Sequence, residues 1–159
     1  MSEAAVSCEE LTKHYQMGEV TVEALRGASF DVPEGSLVVM LGPSGSGKTT
    51  LLNLIGGLDT PTGGRVFVDE QEVSKLVEPE LTEYRRAKVG FIFQFFNLVP
   101  TLTAEENVGL VGELAGNADE AADLLKRVGL GERLDYYPAE LSGGEQQRVA
   151  IARALIKRP

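Results

Sequence analysis

Residues 20–31 (VTVEALRGASFD) alternate in part between apolar and polar positions and end at the Pro33-Glu34-Gly35 turn. That pattern predicts edge-like strands. Five consecutive apolar residues follow at 37–41 (LVVML). A short unalternating run bounded by turns fits a strand covered on both faces, as in a parallel sheet. After a glycine-rich loop, TTLLNLI reads as a helix closed by Gly56-Gly57. RVFVD (65–69) then reads as a strand after the PTGG turn. PELTEYRRAK (79–88) reads as a solvated helix with Pro79 in its first turn. VGFIF (89–93) is a second candidate for a buried strand. Beyond it the pattern turns helical, at 103–115, at 118–128 and from Gly143 to Lys157. In the second of these, Ala118, Ala121, Ala122, Leu125 and Val128 share helical spacing. The expected architecture is α/β, a mostly parallel sheet with an antiparallel edge and an inserted helical lobe. Residues 1–94 form the β-rich core and 95–159 the lobe.

Composition narrows the function. The 159 residues are 43% hydrophobic and 25% charged, an ordinary balance for one folded domain. A net charge of −9 argues against a nucleic-acid backbone or an anionic lipid surface as the main ligand. A smaller anion remains compatible, because a local nest of backbone N–H groups outweighs the global field. The lone Cys8 and lone His14 form no zinc set, and Cys8 is expected to be a small core residue. The first ten residues lack an apolar signal core, and no stretch approaches a membrane span. Action at a membrane would therefore be peripheral.

The clearest chemistry lies at 42–49, GPSGSGKT, which matches G-x-x-x-x-G-K-[ST] between an apolar run and a helix. Gly42, Gly45 and Gly47 let the backbone curl so that consecutive amides face one point. The following helix start adds unpaired donors and partial positive charge. Lys48 supplies a full cation for the outer phosphates, and the Thr49 hydroxyl suits Mg²⁺. The expected phosphate-binding set is Gly42, Pro43, Ser44, Gly45, Ser46, Gly47, Lys48, Thr49 and Thr50. A chance match in a chain of this length would occur roughly once in a hundred.

A phosphate loop alone leaves kinases, GTPases and many ATPases open. LSGGEQQR at 141–148, opening the last helix, narrows the choice. Ser142 and Glu145 have capping-box spacing, and Gly143-Gly144 leave the first turn bare, so the helix start can approach a phosphate closely. With both motifs in order, the chain resembles the ABC ATPase family, whose signature sequence this is. The resemblance runs from about residue 5 to 159. It implies ATP and Mg²⁺ as ligands, with Tyr15 (in KHY) stacking on adenine. It also implies that Gln94 (in FIFQFF) meets Mg²⁺ or the attacking water from a loop that senses the helical lobe. Phe91, Phe93, Phe95 and Phe96 around it read as packing.

The wording LNLIGGLDTPTGG, RRAKVGFIFQFFNLVPTLTAEENV and YPAELSGGEQQRVAIARALIKRP is most similar to one subgroup. That subgroup serves lipoprotein release, macrolide efflux and antimicrobial-peptide resistance. It implies a homodimer of ATPase subunits beneath membrane permease subunits, on the inner face of the plasma membrane. ATP would lie between the phosphate loop of one copy and Leu141, Ser142, Gly143, Gly144, Glu145 and Gln146 of the other. The family pattern continues past Pro159 with the Walker B Asp and catalytic Glu. This stretch is accordingly read as C-terminally truncated, weak in ATP binding and unable to hydrolyse it alone. Two smaller departures are DEQE at 69–72, where relatives usually have Asp-Gly, so that a less tight turn is expected here, and a short helix link at 107–120. Two alternatives stand beside the transport ATPase. A DNA-repair-type ABC ATPase would need long coiled-coil arms, and no heptad run occurs between the motifs. A nucleotide-binding regulatory module without turnover is the other.

Overall fold

The computed structural model describes residues 4–159. Two long strands, β1 (Ala4–Met17) and β2 (Val20–Pro33), form an antiparallel hairpin turning at Gly18. The free edge of β1 pairs with β3 (Gly63–Val68), which turns into the short β4 (Gln71–Glu72), giving the order β2-β1-β3-β4. All pairings are antiparallel.

β1 was not evident in the sequence because a bulge breaks its alternation. The register shifts between Cys8 and Leu11, and Glu10 takes a positive φ of 45°. Cys8 and Leu11, three residues apart, therefore both enter the core. Gly64 makes the bulge possible from the neighbouring strand, since a Cβ there would stand 2.3 Å from the Glu10 carbonyl oxygen. Cys8 is 2% exposed, as expected for a core thiol. Burial, aided by the charge of Asp31, pushes its pKa up to about 11.

The turn between β3 and β4 is tighter than the DEQE wording suggested. Val68 pairs with Gln71, so only Asp69 and Glu70 make the turn, both at positive φ (45° and 65°). That is the dihedral pattern of a two-residue hairpin, adopted here without glycine.

Helix α1 (Lys48–Ile55) follows the glycine loop, and Gly57 at φ 67° ends it. α2 (Glu78–Lys88) carries Glu78 and Glu80 in its first turn and Arg85, Arg86 and Lys88 in its last, a charge order that suits the helix dipole.

The two apolar runs read as parallel strands join no ladder among the described residues. Leu37 is 94% exposed and Leu41 87%. A buried parallel strand needs hydrogen-bonding neighbours and cover on both faces, and the described residues supply neither at 37–41. At 89–93 the ring centroids of Phe91 and Phe93 lie 5.6 Å apart, stacked as same-side residues of an extended segment would be. Among the described residues the antiparallel edge of the expected sheet forms ladders, and the parallel part does not.

The chain divides into two units, the first ending at Thr82 and the second running Glu83–Pro159. The division falls inside α2 and not at 94/95, because the segment after Thr82 is tied to the last helix. The Lys157 ammonium donates to the carbonyls of Arg85 (2.7 Å) and Val89. Gly90 lies so close to that helix that a Cβ would stand 2.6 Å from the Ala154 carbonyl oxygen.

The second unit holds α3 (Ala104–Ala115), α4 (Ala121–Arg127, preceded by a 3-10 turn at Ala118–Glu120) and α5 (Gly143–Leu155). Val108, Leu124, Leu125, Leu130, Leu141, Val149 and Ile156 form its core. α3 starts on a capping box made by Thr103 and Glu106. Just inside, the buried Asn107 amide staples the preceding loop. It donates to the Val99, Leu102 and Thr103 carbonyls and accepts from the Val99 N–H at 2.7 Å. All four bonds are local, so this buried polar group is stabilising.

Candidate functional site

The loop from Gly42 to Gly47 is shaped by its glycines. Gly45 and Gly47 have φ of 79° and 88°, where an L side chain is strained. Gly47 also lies against β2, and a Cβ would stand 2.5 Å from the Ala24 carbonyl oxygen. At Gly42 a Cβ would stand 2.7 Å from the Ser46 Oγ, so it would fill the cradle. Gly47 is the N-cap of α1 and no side chain caps that helix, which leaves its first-turn N–H groups for another acceptor. The Lys48 Nζ curls back over the loop, donating to the carbonyls of Gly42 and Pro43 at 2.7 Å each and to the Ser46 Oγ at 3.3 Å. The Thr49 hydroxyl is on an exposed residue and Thr50 is half-buried. An uncapped helix start, one cation and an exposed hydroxyl form a donor set suited to a polyphosphate.

Tyr15 on β1 reaches the segment that follows α1. Its hydroxyl donates to Asp59 Oδ2 at 2.7 Å. Burial and the Asp59 carboxylate raise its pKa. Asp59 also takes the Lys13 ammonium at 2.6 Å and the Thr60 N–H at 2.7 Å. Burial works against its charge, yet these donors outweigh it and hold the carboxyl below the usual range. Sequence reasoning singled out Tyr15 but not its partners Lys13 and Asp59. The tyrosine and the aspartate are 44 positions apart, and no local motif links them.

In the second unit, α5 begins as the sequence indicated. The Ser142 Oγ accepts from the Glu145 N–H, and the Glu145 carboxylate accepts from the Ser142 N–H (2.8 Å) and hydroxyl (2.7 Å). Those two bonds from Ser142, with a weaker contribution from Arg133, hold the Glu145 carboxyl below its ordinary pKa. A Cβ at Gly143 would meet nothing within 4 Å, so the helix start is bare. The other signature residues divide by role. Leu141 is in the core, and the Gln146 amide donates to the Pro138 (2.9 Å) and Leu141 (3.1 Å) carbonyls. Ser142, Gly143 and Gly144 remain exposed. Gln94 opens an exposed turn at 94–97, and Phe95, read as packing, stands in solvent.

The profile of the family described as "ABC transporter" matches residues 25–159, and the chain belongs to that family. It is 52% identical over 155 residues to an uncharacterized ABC transporter ATP-binding protein of Thermotoga maritima, with 94% of this chain and 66% of that protein covered. It is 47% identical over 156 residues to the macrolide export ATP-binding/permease protein MacB of Brucella melitensis, with 95% and 24% covered. The chain therefore spans about two thirds of the first relative's length and about a quarter of the second's. Among solved structures it resembles the dimeric post-hydrolysis state of the ATP-binding cassette MJ0796 bound to ADP and Pi. The TM-score is 0.89 at 45% identity, over 97% of this chain and 70% of that one. The fold class is that of a P-loop ABC ATPase cassette. No helix among the described residues is long and apolar enough to cross a membrane.

Proposed function

We propose that this chain is the nucleotide-binding part of a transport ATPase subunit that takes up MgATP at Gly42–Thr50. The glycine loop with Lys48 at its mouth carries the reading, since its open amides and single cation match a triphosphate chemically. On binding, Lys48 exchanges its contacts with the Gly42 and Pro43 carbonyls for phosphate oxygens. Thr49 and Gln94 are the residues of this chain assigned to Mg²⁺, which supplies charge neutralisation across the phosphates. Tyr15 stacks on the base. Gln94 orients water for hydrolysis in the whole protein, and this stretch assigns no carboxylate to proton abstraction.

The signature helix start acts in trans. The exposed Gly143-Gly144 turn, held rigid by the Ser142–Glu145 box, faces the ATP bound by a second copy. The MJ0796 cassette, which forms a dimer in its post-hydrolysis state, supports that arrangement. The macrolide export relative supports a membrane permease as the driven partner, with the ATPase peripheral on the cytoplasmic face.

Calorimetry of MgATP binding to the full-length protein tests this. Lys48→Ala deletes charge-assisted hydrogen bonds and weakens binding by roughly 10²–10⁴. Unchanged ATP affinity in that variant refutes the assignment of Lys48.

A further inference from the structure

The Lys13–Tyr15–Asp59 cluster has a geometry that phosphate binding does not require. The Tyr15 ring is held at both ends. Its hydroxyl is fixed by Asp59 at 2.7 Å, and the Lys13 ammonium sits over the ring, 4.9 Å from its centroid. Lys13 is in turn fixed by Asp59 at 2.6 Å and by the Thr60 carbonyl at 2.7 Å. The pair is sheltered, with side-chain exposures of 11% for Lys13 and 27% for Asp59, so solvent screens it less than a surface ion pair.

We propose that Asp59 is a positioning residue for the nucleobase, holding the Tyr15 ring in one orientation through its hydroxyl while Lys13 occupies one ring face. This inference rests on the reading of Tyr15 as the stacking residue. A phenol swings about two torsions, and a base gains from stacking only after that freedom is removed. Asp59 removes it before the ligand arrives. The cation covers one face of the ring, so the base takes the opposite one. Tyrosine is thereby required over phenylalanine, because the anchor acts on the hydroxyl.

The test compares MgATP with magnesium tripolyphosphate, which has no base, by calorimetry on the full-length protein. In the wild type ATP binds more tightly than tripolyphosphate. Tyr15→Ala abolishes that preference. Asp59→Asn and Tyr15→Phe each lower ATP affinity about fivefold and leave tripolyphosphate binding unchanged. The double variant loses no more than either single one, since both break the same link. If Tyr15→Ala keeps the full preference, the stacking reading fails and this inference goes with it. If Tyr15→Ala abolishes the preference while Asp59→Asn and Tyr15→Phe retain it, the positioning role alone is refuted. Equal weakening of both ligands by Asp59→Asn also refutes it, because a purely structural defect would spread to the phosphate loop. Tyr15→Phe removes only one oxygen, and it carries the decision should Asp59→Asn fail to fold.

Discussion

The Arg153 guanidinium on α5 donates to the Asn97 carbonyl at 2.7 Å, and to the neighbouring Phe96 carbonyl as well. Both acceptors sit at positive φ, 61° for Phe96 and 47° for Asn97, two and three residues after Gln94. A bulky residue is costly in that backbone region, so something must hold the turn there. Arg153 does so, and it links the turn of Gln94 to the signature helix. Burial lowers its pKa, yet an arginine stays charged at any ordinary pH. Arg153→Ala should destabilise the full-length protein by about 2 kcal/mol, the worth of a charge-assisted pair of hydrogen bonds. Urea denaturation measures this. Arg153→Lys, with a single ammonium, should recover only part of the loss, and full recovery would speak against the two-carbonyl clamp.

Gly47 and Gly45 separate two ways in which a glycine is required. Both have positive φ, but only at Gly47 does a Cβ collide, 2.5 Å from the Ala24 oxygen and 2.9 Å from Leu25 Cδ2. Gly45→Ala should cost about 1 kcal/mol from backbone strain alone. Gly47→Ala should cost clearly more, because β2 must also move. Thermal melts of the two variants settle the order, and equal losses would contradict the packing assigned to Gly47.

Acid should loosen the start of α5. The Glu145 pKa is depressed by its hydrogen bonds from Ser142 and by Arg133. Its contribution to stability is therefore fully present above the unfolded glutamate value of about 4.3 and is lost as pH falls through the lower folded value. Hydrogen exchange at residues 143–146, followed downward from neutral pH, should accelerate in that acid window. Glu145→Gln should remove the acid-dependent component.

Glu70 offers a stabilising substitution. It holds φ 65° in a two-residue turn where glycine is at ease. Glu70→Gly should raise stability by up to about 1 kcal/mol, the left-handed strain relieved less the added freedom of the unfolded chain. A lower melting temperature in this variant would show that the side chain does more than tolerate the turn.

What the sequence disclosed was local chemistry. The glycine loop and the Ser142–Glu145 box span a few residues each, so their spacing carries their geometry. β1 stayed hidden because the bulge at Glu10 puts Cys8 and Leu11, an odd number of residues apart, on one face. Asp59 and Lys13 were missed because their link to Tyr15 exists only once α1 and the sheet come together. The runs at 37–41 and 89–93 read as strands from composition, but a strand is a relation between neighbours. Gln146, expected from its place in the motif to contact the nucleotide of a second copy, also donates its amide to two carbonyls of its own loop, which the motif did not reveal.

The exposed ribbon at 37–41 sets an order of events for the emerging chain. The hairpin of β1 and β2 closes on local contacts, and β3 adds to it with only a short wait. The ribbon between them gains nothing from that closure and joins no ladder among the described residues. With Leu37, Val38, Val39 and Leu41 all exposed, this run is the adhesive segment of the described residues, and covering it is expected to limit their aggregation.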